Sequence, residues 1–294
     1  MTFPPAGAHG GDGERVARAL GLDPASVLDL SQSLNPIAPD PRPLVQMHLD
    51  ALGRYPDPAR AHDALASAMH VDPDRLLLTN GGAEAITLVK GLVGGSVFEP
   101  EFSLHPRGTG PRWRSNPHSP SGLLARPEEA AAVWDEAFYA LATGEWTRGD
   151  DAIVVGSLTK VLACPGLRVG YVLADPSFIV SCRRQQAEWP LNGLATEALP
   201  DLLAALDLAD CVVRIRALRE QLRDILHAHE IIVHPSDANW VLVNYPGLRE
   251  VLAPRGIVVR DCASFGLEGI ARIAVPNEAG LARLAEALET LRRD

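Results

Sequence analysis

The chain has 294 residues, of which 47% are apolar, and its formal net charge is −10. This length predicts a large domain with a smaller companion and a packed core, the negative charge argues against nucleic acid as a partner, and no apolar run approaches the roughly 18 residues of a membrane span. The four cysteines show no metal-ligand spacing and the N-terminal segment lacks the apolar core of a signal peptide, so we expect a cytoplasmic protein with reduced thiols and no metal.

Residues 1–45 are expected to form an irregular arm with a short helix at Glu14–Leu20 and an extended piece at Ser26–Leu30. A helix is predicted at Ala59–Met69. Short apolar runs then alternate with helical patterns, which predicts a mostly parallel sheet with crossover helices. These segments are Arg75–Thr79, Ala83–Leu92, Ser96–Glu99, Ala131–Phe138, Ala152–Ser157 and Arg168–Ala174.

A long helical stretch at Gly193–His229 could bridge to a second domain. The tail alternates predicted strands with predicted helices, which indicates a small α+β domain. Its strands are expected at Ala238–Asn244, Ile257–Arg260 and Ala271–Val275, and its helices at Leu248–Leu252 and Glu278–Leu291. The predicted organisation is an arm (1–45), a large domain (46–205) and a small domain (206–294).

Lys160 and Lys90 are the two lysines among 27 basic residues. A lysine amine can lose its proton and attack a carbonyl, which an arginine cannot do. Lys160 ends the segment Ser157-Leu158-Thr159-Lys160 after an apolar run, and Arg168 follows eight residues later. We interpret Lys160 as the residue that binds pyridoxal phosphate as a Schiff base, with Ser157 and Arg168 contacting its phosphate.

The turn Thr79–Glu84 joins a predicted strand to a predicted helix. Glycines there leave backbone N–H groups open at the positive end of the helix, so the amides of Gly82 and Ala83 are candidates for the phosphate site. A tight turn without a ligand is the alternative. Asp135 ends an apolar run and could hold a pyridine nitrogen protonated, or simply cap its strand.

Arg260 and Arg272 each lie on an apolar predicted strand, where a charge needs a partner. Either could bind a substrate carboxylate or phosphate, or could form a salt bridge. His9, Tyr55 and the turn-forming segment Asn116–Gly122 are ambiguous when each is considered alone.

The order of these features resembles the fold type I pyridoxal-phosphate enzymes of the class I/II aminotransferase superfamily. Ser157–Lys160 with Pro165–Arg168, and Arg54–Asp57, are the most specific matching motifs. The resemblance implies an α/β fold with a mostly parallel, mixed sheet of the seven-strand type, open to trimming, and a smaller α+β C-terminal domain. It also implies a homodimer in which Tyr55 reaches the cofactor phosphate of the neighbouring subunit.

Within the superfamily, the chain is most similar to the branch of histidinol-phosphate aminotransferase and threonine-phosphate decarboxylase. His9–Gly11 and Leu28–Ser31 resemble the decarboxylase arm, and Phe138 replaces the tyrosine usual in aminotransferases. The implied reaction is decarboxylation of L-threonine O-3-phosphate to aminopropanol phosphate, used in the nucleotide loop of cobalamin, with Lys160 returning a proton to Cα. Residues implied in substrate binding are Arg272 for the carboxylate, His9 and Arg260 for the phosphate, and Asn35.

Transamination of the histidinol-phosphate type is the first alternative, and a non-catalytic relative of the same fold is the second. Two residues depart from the family pattern. Ser119 replaces the asparagine that donates to the cofactor O3′, and His105 stands where an aromatic residue usually stacks on the ring. Ten residues separate His105 from Asn116, where the family has several dozen, so we expect a trimmed sheet and a more open site.

Overall fold

A computed structural model of the chain describes residues 3–149 and 151–291. The strands are β1 (Leu28–Asp29), β2 (Leu76–Asn80), β3 (Trp113–Ser115), β4 (Val133–Asp135), β5 (Ile153–Ser157), β6 (Val169–Leu173), β7 (Ile232–Val233), β8 (Trp240–Asn244), β9 (Ile257–Val258), β10 (Arg260–Asp261) and β11 (Ile270–Ala274). The α-helices are α1 (Gly13–Leu20), α2 (Pro41–Gln46), α3 (Ala59–Met69), α4 (Gly81–Val93), α5 (Tyr139–Thr143), α6 (Leu158–Val161), α7 (Pro176–Gln185), α8 (Gly193–Ala204), α9 (Leu208–Ala228), α10 (Leu248–Leu252) and α11 (Glu278–Leu291).

The large sheet has five strands within the described ranges, in the order β2-β6-β5-β4-β3. Strands β3, β4 and β5 pair in parallel, and β6 runs antiparallel to both of its neighbours. Strands β2 to β5 therefore end at one edge of the sheet, which is where open α/β sheets bind ligands. The mixed sheet with its crossover helices confirms the predicted α/β fold.

Both faces of this sheet are covered by helices. On β2, Leu76 and Leu78 pack with α3 and α8, whereas Leu77 packs with α4 and α7 on the opposite face. Val154 and Val155 of β5 divide between the two faces in the same way. Because each strand is buried on both sides, the sequence shows continuous apolar runs instead of alternation.

The second sheet, in the C-terminal part, has the order β10-β11-β8-β7 and antiparallel pairing throughout. Val241 and Ile273 face a core that α9, α10 and α11 close. Trp240 and Leu242 face the opposite way, toward Phe138 of the large-sheet region. The N-terminal arm joins this part through β1, which pairs in parallel with β9.

The apolar core divides into clusters that meet along α9, because Ile215 packs with the large sheet and Leu222 packs with the small one. We propose on this basis a large and a small domain, with the arm attached to the small one. The boundaries after residues 45 and 205 stay predictions.

The secondary-structure prediction is accurate for several helices: Ala59–Met69, Leu248–Leu252 and Glu278–Leu291 have the predicted bounds. The predicted strand at Ser96–Glu99 is wrong, because that segment makes a single bridge, from Ser96 to Arg112. The single helix predicted at 193–229 is two helices, α8 and α9. The break occurs before α9, where the Asp207 side chain accepts a hydrogen bond from the N-terminus of that helix. In the part of the chain that the structure describes, no helix is long and apolar enough to cross a membrane.

Candidate active site

A cavity of about 490 Å³ lies between the carboxyl edge of the large sheet and strands β10 and β11. Its wall contains most of the residues that the sequence singled out. These are His9, Gly82, Ala83, Ser119, Asp135, Phe138, Ser157, Lys160, Arg168, Arg260 and Arg272. Asn35, Tyr55 and His105 lie outside this wall. The topology explains the convergence, because the loops after β2, β3, β4 and β5 meet at one edge.

The candidate phosphate site lies where α4 begins, directly after β2. The first N–H groups of a helix have no partner within it. A Cβ on Gly82 would lie 3.2 Å from the Cβ of Ser157, so the helix start approaches this serine closely. Gly81 has a φ of +72°, and the Arg168 guanidinium occupies the space that a side chain at Gly81 would need. Backbone N–H groups, a hydroxyl and a guanidinium form a donor set suited to a phosphate.

Lys160 lies on α6, the short helix that follows β5. Its Nζ donates to the Gln32 carbonyl oxygen at 2.8 Å and lies 5.6 Å from the centre of the Phe138 ring. Burial, reinforced by three arginines of the cavity wall, lowers the pKa of Lys160 from 10.5 to about 8. A lysine with this pKa has an appreciable unprotonated fraction near neutral pH, which is the form that attacks an aldehyde.

Asp135 ends β4 with its carboxylate held from two sides. The Ala137 N–H donates to Oδ1 at 3.0 Å, and the His105 Nε2 lies 2.9 Å from Oδ2. The His105 side chain is fully buried between the rings of Phe102 and Trp113, at centroid distances of 5.5 and 5.6 Å. Since an ionised Asp135 only accepts hydrogen bonds, the imidazole donates through Nε2.

His105 is hydrogen-bonded to Asp135 and lies outside the cavity wall, and its predicted stacking on the cofactor ring stays a prediction. The imidazole turns inward because Asp135 offers it a hydrogen bond, and Phe102 takes a place in the cavity wall instead. The sequence reading missed Phe102. An aromatic residue three positions before His105, in the same loop, was the signal that could have identified it.

Arg260 and Arg272 lie directly opposite each other on neighbouring strands. They are 6% and 4% exposed, and neither forms an ion pair with any Asp or Glu of the described ranges. The Nε atom of each also lacks a hydrogen-bond partner there. Burial, with the charge of Arg260, lowers the pKa of Arg272 to about 9. The two guanidinium groups lie over the rings of Phe265 and Trp240, at 4.4 and 4.9 Å from the ring centres. Two like charges at opposed positions destabilise a sheet, so this pair is a candidate site for anionic groups.

His9 reaches the same part of the cavity from the arm. The Arg260 Nη2 donates to the carbonyl oxygen of Ala8 at 2.9 Å, and the His9 ring lies 5.6 Å from that of Phe102. Burial, followed by the charge of Arg260, lowers the pKa of His9. A neutral His9 can donate one hydrogen bond to an anion without adding a third charge.

The structure places Asn35 and Tyr55 away from the cavity. The Asn35 amide donates to the Val161 carbonyl oxygen at 3.0 Å and to the Cys211 Sγ at 3.4 Å. Both side-chain donors of Asn35 are therefore used within the protein, and a contact of Asn35 with the substrate stays a prediction. Tyr55 is 76% exposed and stacks on Trp189 at a centroid distance of 4.6 Å.

A buried polar network supports Ser119 and was missed by the sequence reading. The Ser119 N–H donates to the Ser115 Oγ at 2.7 Å, and the Ser115 hydroxyl donates to the Glu101 carboxylate at 2.6 Å. Nothing in the sequence distinguishes Glu101 from a surface carboxylate, because its partner is 14 residues away.

The profile described as Aminotransferase class I and II matches residues 114–288, which is more than half of the chain. The chain belongs to this family. It is therefore a pyridoxal-phosphate-dependent enzyme. The family confirms the predicted fold type and cofactor, while the assignment of single residues stays a proposal.

Among its relatives is the threonine-phosphate decarboxylase of Salmonella typhimurium, 29% identical over 353 aligned positions that cover 97% of this chain and 96% of that protein. Histidinol-phosphate aminotransferase 2 of Pseudomonas aeruginosa is 26% identical, with 89% and 88% covered. The histidinol-phosphate aminotransferase of Sinorhizobium meliloti, solved with pyridoxal 5′-phosphate, has the same fold, with a TM-score of 0.80, 16% identity and 95% of each chain covered. The 353 positions exceed the 294 residues of this chain, so part of the length of that relative has no counterpart here.

Pyridoxal phosphate fits the residues present in the cavity. The helix start at Gly82 and Ala83, with Ser157 and Arg168, is suited to the phosphate, because the glycine lets the helix start lie close to Ser157. Asp135 supplies a carboxylate for the ring nitrogen, and Lys160 supplies the amine. Ser119 and Phe138 line the same wall, and Ser119 stays the predicted donor to the phenolic oxygen.

The rate at which apoprotein captures the cofactor should depend on pH through Lys160. Only the unprotonated amine attacks, so with a pKa of about 8 the rate should rise about tenfold per pH unit below pH 8 and level off above it. Stopped-flow absorbance after mixing apoprotein with pyridoxal phosphate measures this profile. A midpoint near 10.5, the ordinary lysine value, would contradict the placement of Lys160.

Replacing His105 with phenylalanine should lower kcat by about 10- to 100-fold, because the Asp135 Oδ2 then loses its donor, and a buried acceptor left unsatisfied costs about 1–3 kcal/mol. His105→Gln, whose amide can still donate toward Asp135, should retain more activity. Steady-state kinetics of both variants, with the absorbance spectrum of the bound cofactor, test this role. Equal activity of the two variants would show that the hydrogen bond is unimportant.

Proposed function

We propose that the enzyme decarboxylates L-threonine O-3-phosphate to aminopropanol phosphate, for cobalamin biosynthesis. The main observation in support is the buried pair of Arg260 and Arg272, which lie opposite each other on neighbouring strands and have no carboxylate partner among the residues described. Buried cations are normally paired, so this cavity calls for two anionic groups. Threonine phosphate carries a carboxylate and a phosphate on one short skeleton, and the alignment with the Salmonella decarboxylase supports the assignment.

In this proposal, Arg272 binds the α-carboxylate, while Arg260 and His9 bind the phosphate. When bound, pyridoxal phosphate supplies a conjugated ring that accepts the electron pair left at Cα as carbon dioxide departs. Asp135 keeps the ring nitrogen protonated, with His105 holding its carboxylate. Lys160 returns a proton to Cα. One C–C bond is broken and one C–H bond is formed, without an oxidant or an amino acceptor.

Transamination of the histidinol-phosphate type is the second candidate, because such aminotransferases are relatives at similar identity. Histidinol phosphate has one anionic group, whereas glutamate has two, so the arginine pair would be fully used in only one half-reaction. Phe138, in place of the aminotransferase tyrosine, favours decarboxylation. A non-catalytic role is disfavoured because Lys160, Asp135 and Arg168 line the same cavity.

One assay separates these candidates. The cofactor-loaded enzyme is incubated with L-threonine O-3-phosphate alone, and separately with histidinol phosphate and 2-oxoglutarate. We expect carbon dioxide in the first reaction and no glutamate in the second. Glutamate formation without carbon dioxide release would overturn the decarboxylase assignment, and a protein that stays colourless after added cofactor would indicate the non-catalytic relative.

The proposal includes a cytoplasmic homodimer in which Tyr55 reaches the cofactor phosphate of the partner subunit. Tyr55 and Trp189 form an exposed aromatic pair, at 76% and 58% exposure, and Leu52 on the same segment is 71% exposed. Such a cluster suits a contact with a second copy. Sedimentation of the loaded enzyme tests this, and a fully active monomer would contradict it.

A further inference from the structure

The loop 32–35 of the N-terminal arm lies directly against the helix that carries Lys160. The Asn35 N–H donates to the Lys160 carbonyl oxygen at 2.9 Å, and the Asn35 side-chain amide donates to the Val161 carbonyl oxygen at 3.0 Å. These are the last two carbonyl groups of α6, which has four residues. The terminal carbonyls of a helix lack partners within it, so the arm supplies partners that the helix cannot.

Both donors of the Asn35 side chain are used within the protein. Its amide nitrogen also contacts the Cys211 Sγ, at 3.4 Å, and its carbonyl oxygen accepts the Ile37 N–H at 3.2 Å. Asn35 is 4% exposed. Its buried amide is therefore used within the protein: it joins the arm to α6 and to α9, and it accepts one hydrogen bond from the arm itself.

The same loop contacts the lysine amine itself and is fixed from the opposite side. The Lys160 Nζ donates to the Gln32 carbonyl oxygen at 2.8 Å. Asn239 of the small domain, which is fully buried, donates to the carbonyl oxygens of Ser33 and Leu34 at 2.8 and 3.1 Å. The loop is thus held between the small-domain sheet and α6.

We propose that Asn35 is a positioning residue for Lys160: it fixes α6 against the arm so that the amine is held at the attacking position in the cavity, and Asn239 fixes the loop on which Asn35 depends. This role rests on the proposed function of Lys160 as the lysine that binds the cofactor. It assigns to Asn35 a role through contacts within the protein, whereas the contact expected from the sequence is with the substrate. A displacement of about 1 Å at a reacting atom can cost about 100-fold in rate.

The test is the capture of pyridoxal phosphate by apoprotein, followed by absorbance at increasing cofactor concentrations. Half-saturation reports the initial binding by the phosphate site, and the limiting rate constant reports the attack by Lys160. For Asn35→Ala we expect the limiting rate to fall about 10- to 100-fold with little change in half-saturation. Asn239→Ala should lower the limiting rate as well. Because the two residues act through one loop, the fold-decrease in the limiting rate of the double variant should be smaller than the product of the two single fold-decreases.

A control variant separates positioning from general loss of stability. Leu284→Ala, at a fully buried site in the small-domain core, should lower the melting temperature and leave the limiting rate unchanged. If Asn35→Ala does not fold, the Asn239→Ala result decides, because the Asn239 side chain donates to the loop and, within the described ranges, forms no hydrogen bond with α6 or the lysine. An unchanged limiting rate in a folded Asn35→Ala or Asn239→Ala variant overturns this inference. A Lys160→Ala variant that still captures cofactor covalently overturns the proposed function instead.

Discussion

Lys160→Ala is expected to abolish covalent cofactor binding and to lower activity by about 10⁴-fold or more. The amine belongs to the single lysine that the structure places in the cavity wall, within the described part of the chain, and burial lowers its pKa to about 8. Its loss removes both the attachment of the aldehyde and the proton donor to Cα. The absorbance spectrum of the purified variant and its rate of carbon dioxide release measure the two effects.

Lys90→Ala is the matched control for this variant, because Lys90 is the other lysine of the chain. It lies exposed on α4, outside the cavity wall. We expect it to keep the colour and the activity of the unmodified enzyme. If Lys90→Ala loses the colour and Lys160→Ala keeps it, the assignment of the cofactor lysine is wrong.

The fold was predictable wherever local chemistry determines an element. Helix α3 and helix α11 have the predicted bounds because their apolar spacing and flanking residues agree. The segment Ser96–Glu99 misled the prediction, since a short apolar run forms a strand only if a neighbouring strand is available. Here the neighbour is Arg112, just before the three-residue strand β3, so only one bridge forms.

The site was predictable for those residues that come directly after strands ending at the same edge of the large sheet. Gly82, Asp135 and Lys160 each follow a strand directly, so the topology brings them together. The opposition of Arg260 and Arg272 depends on the register of two strands, which is not visible in either strand alone. His105 and Asn35 were assigned to ligands because their hydrogen-bond partners, Asp135 and the end of α6, are remote in sequence.

Replacing Arg272 with methionine should separate stability from function. An unpaired buried guanidinium opposes folding, so an apolar side chain of similar length should raise the free energy of unfolding by about 1–2 kcal/mol. The same change should lower kcat/KM for threonine phosphate by about 10²- to 10⁴-fold, because a buried ionic contact with the substrate carboxylate is lost. Urea denaturation of the apoprotein and steady-state kinetics of the loaded enzyme test the two parts.

Arg249→Met is the control that distinguishes a ligand-binding arginine from a structural one. Arg249 is 2% exposed, as buried as Arg272, but it pairs with Asp12 at 2.5 Å and donates to the Pro4 carbonyl oxygen. Its replacement should lower the free energy of unfolding by about 1–3 kcal/mol, since Pro4 and Asp12 lose a donor. If Arg272→Met destabilises the apoprotein as Arg249→Met does, then Arg272 already has an internal partner, and the inference that the cavity awaits two anions fails with it.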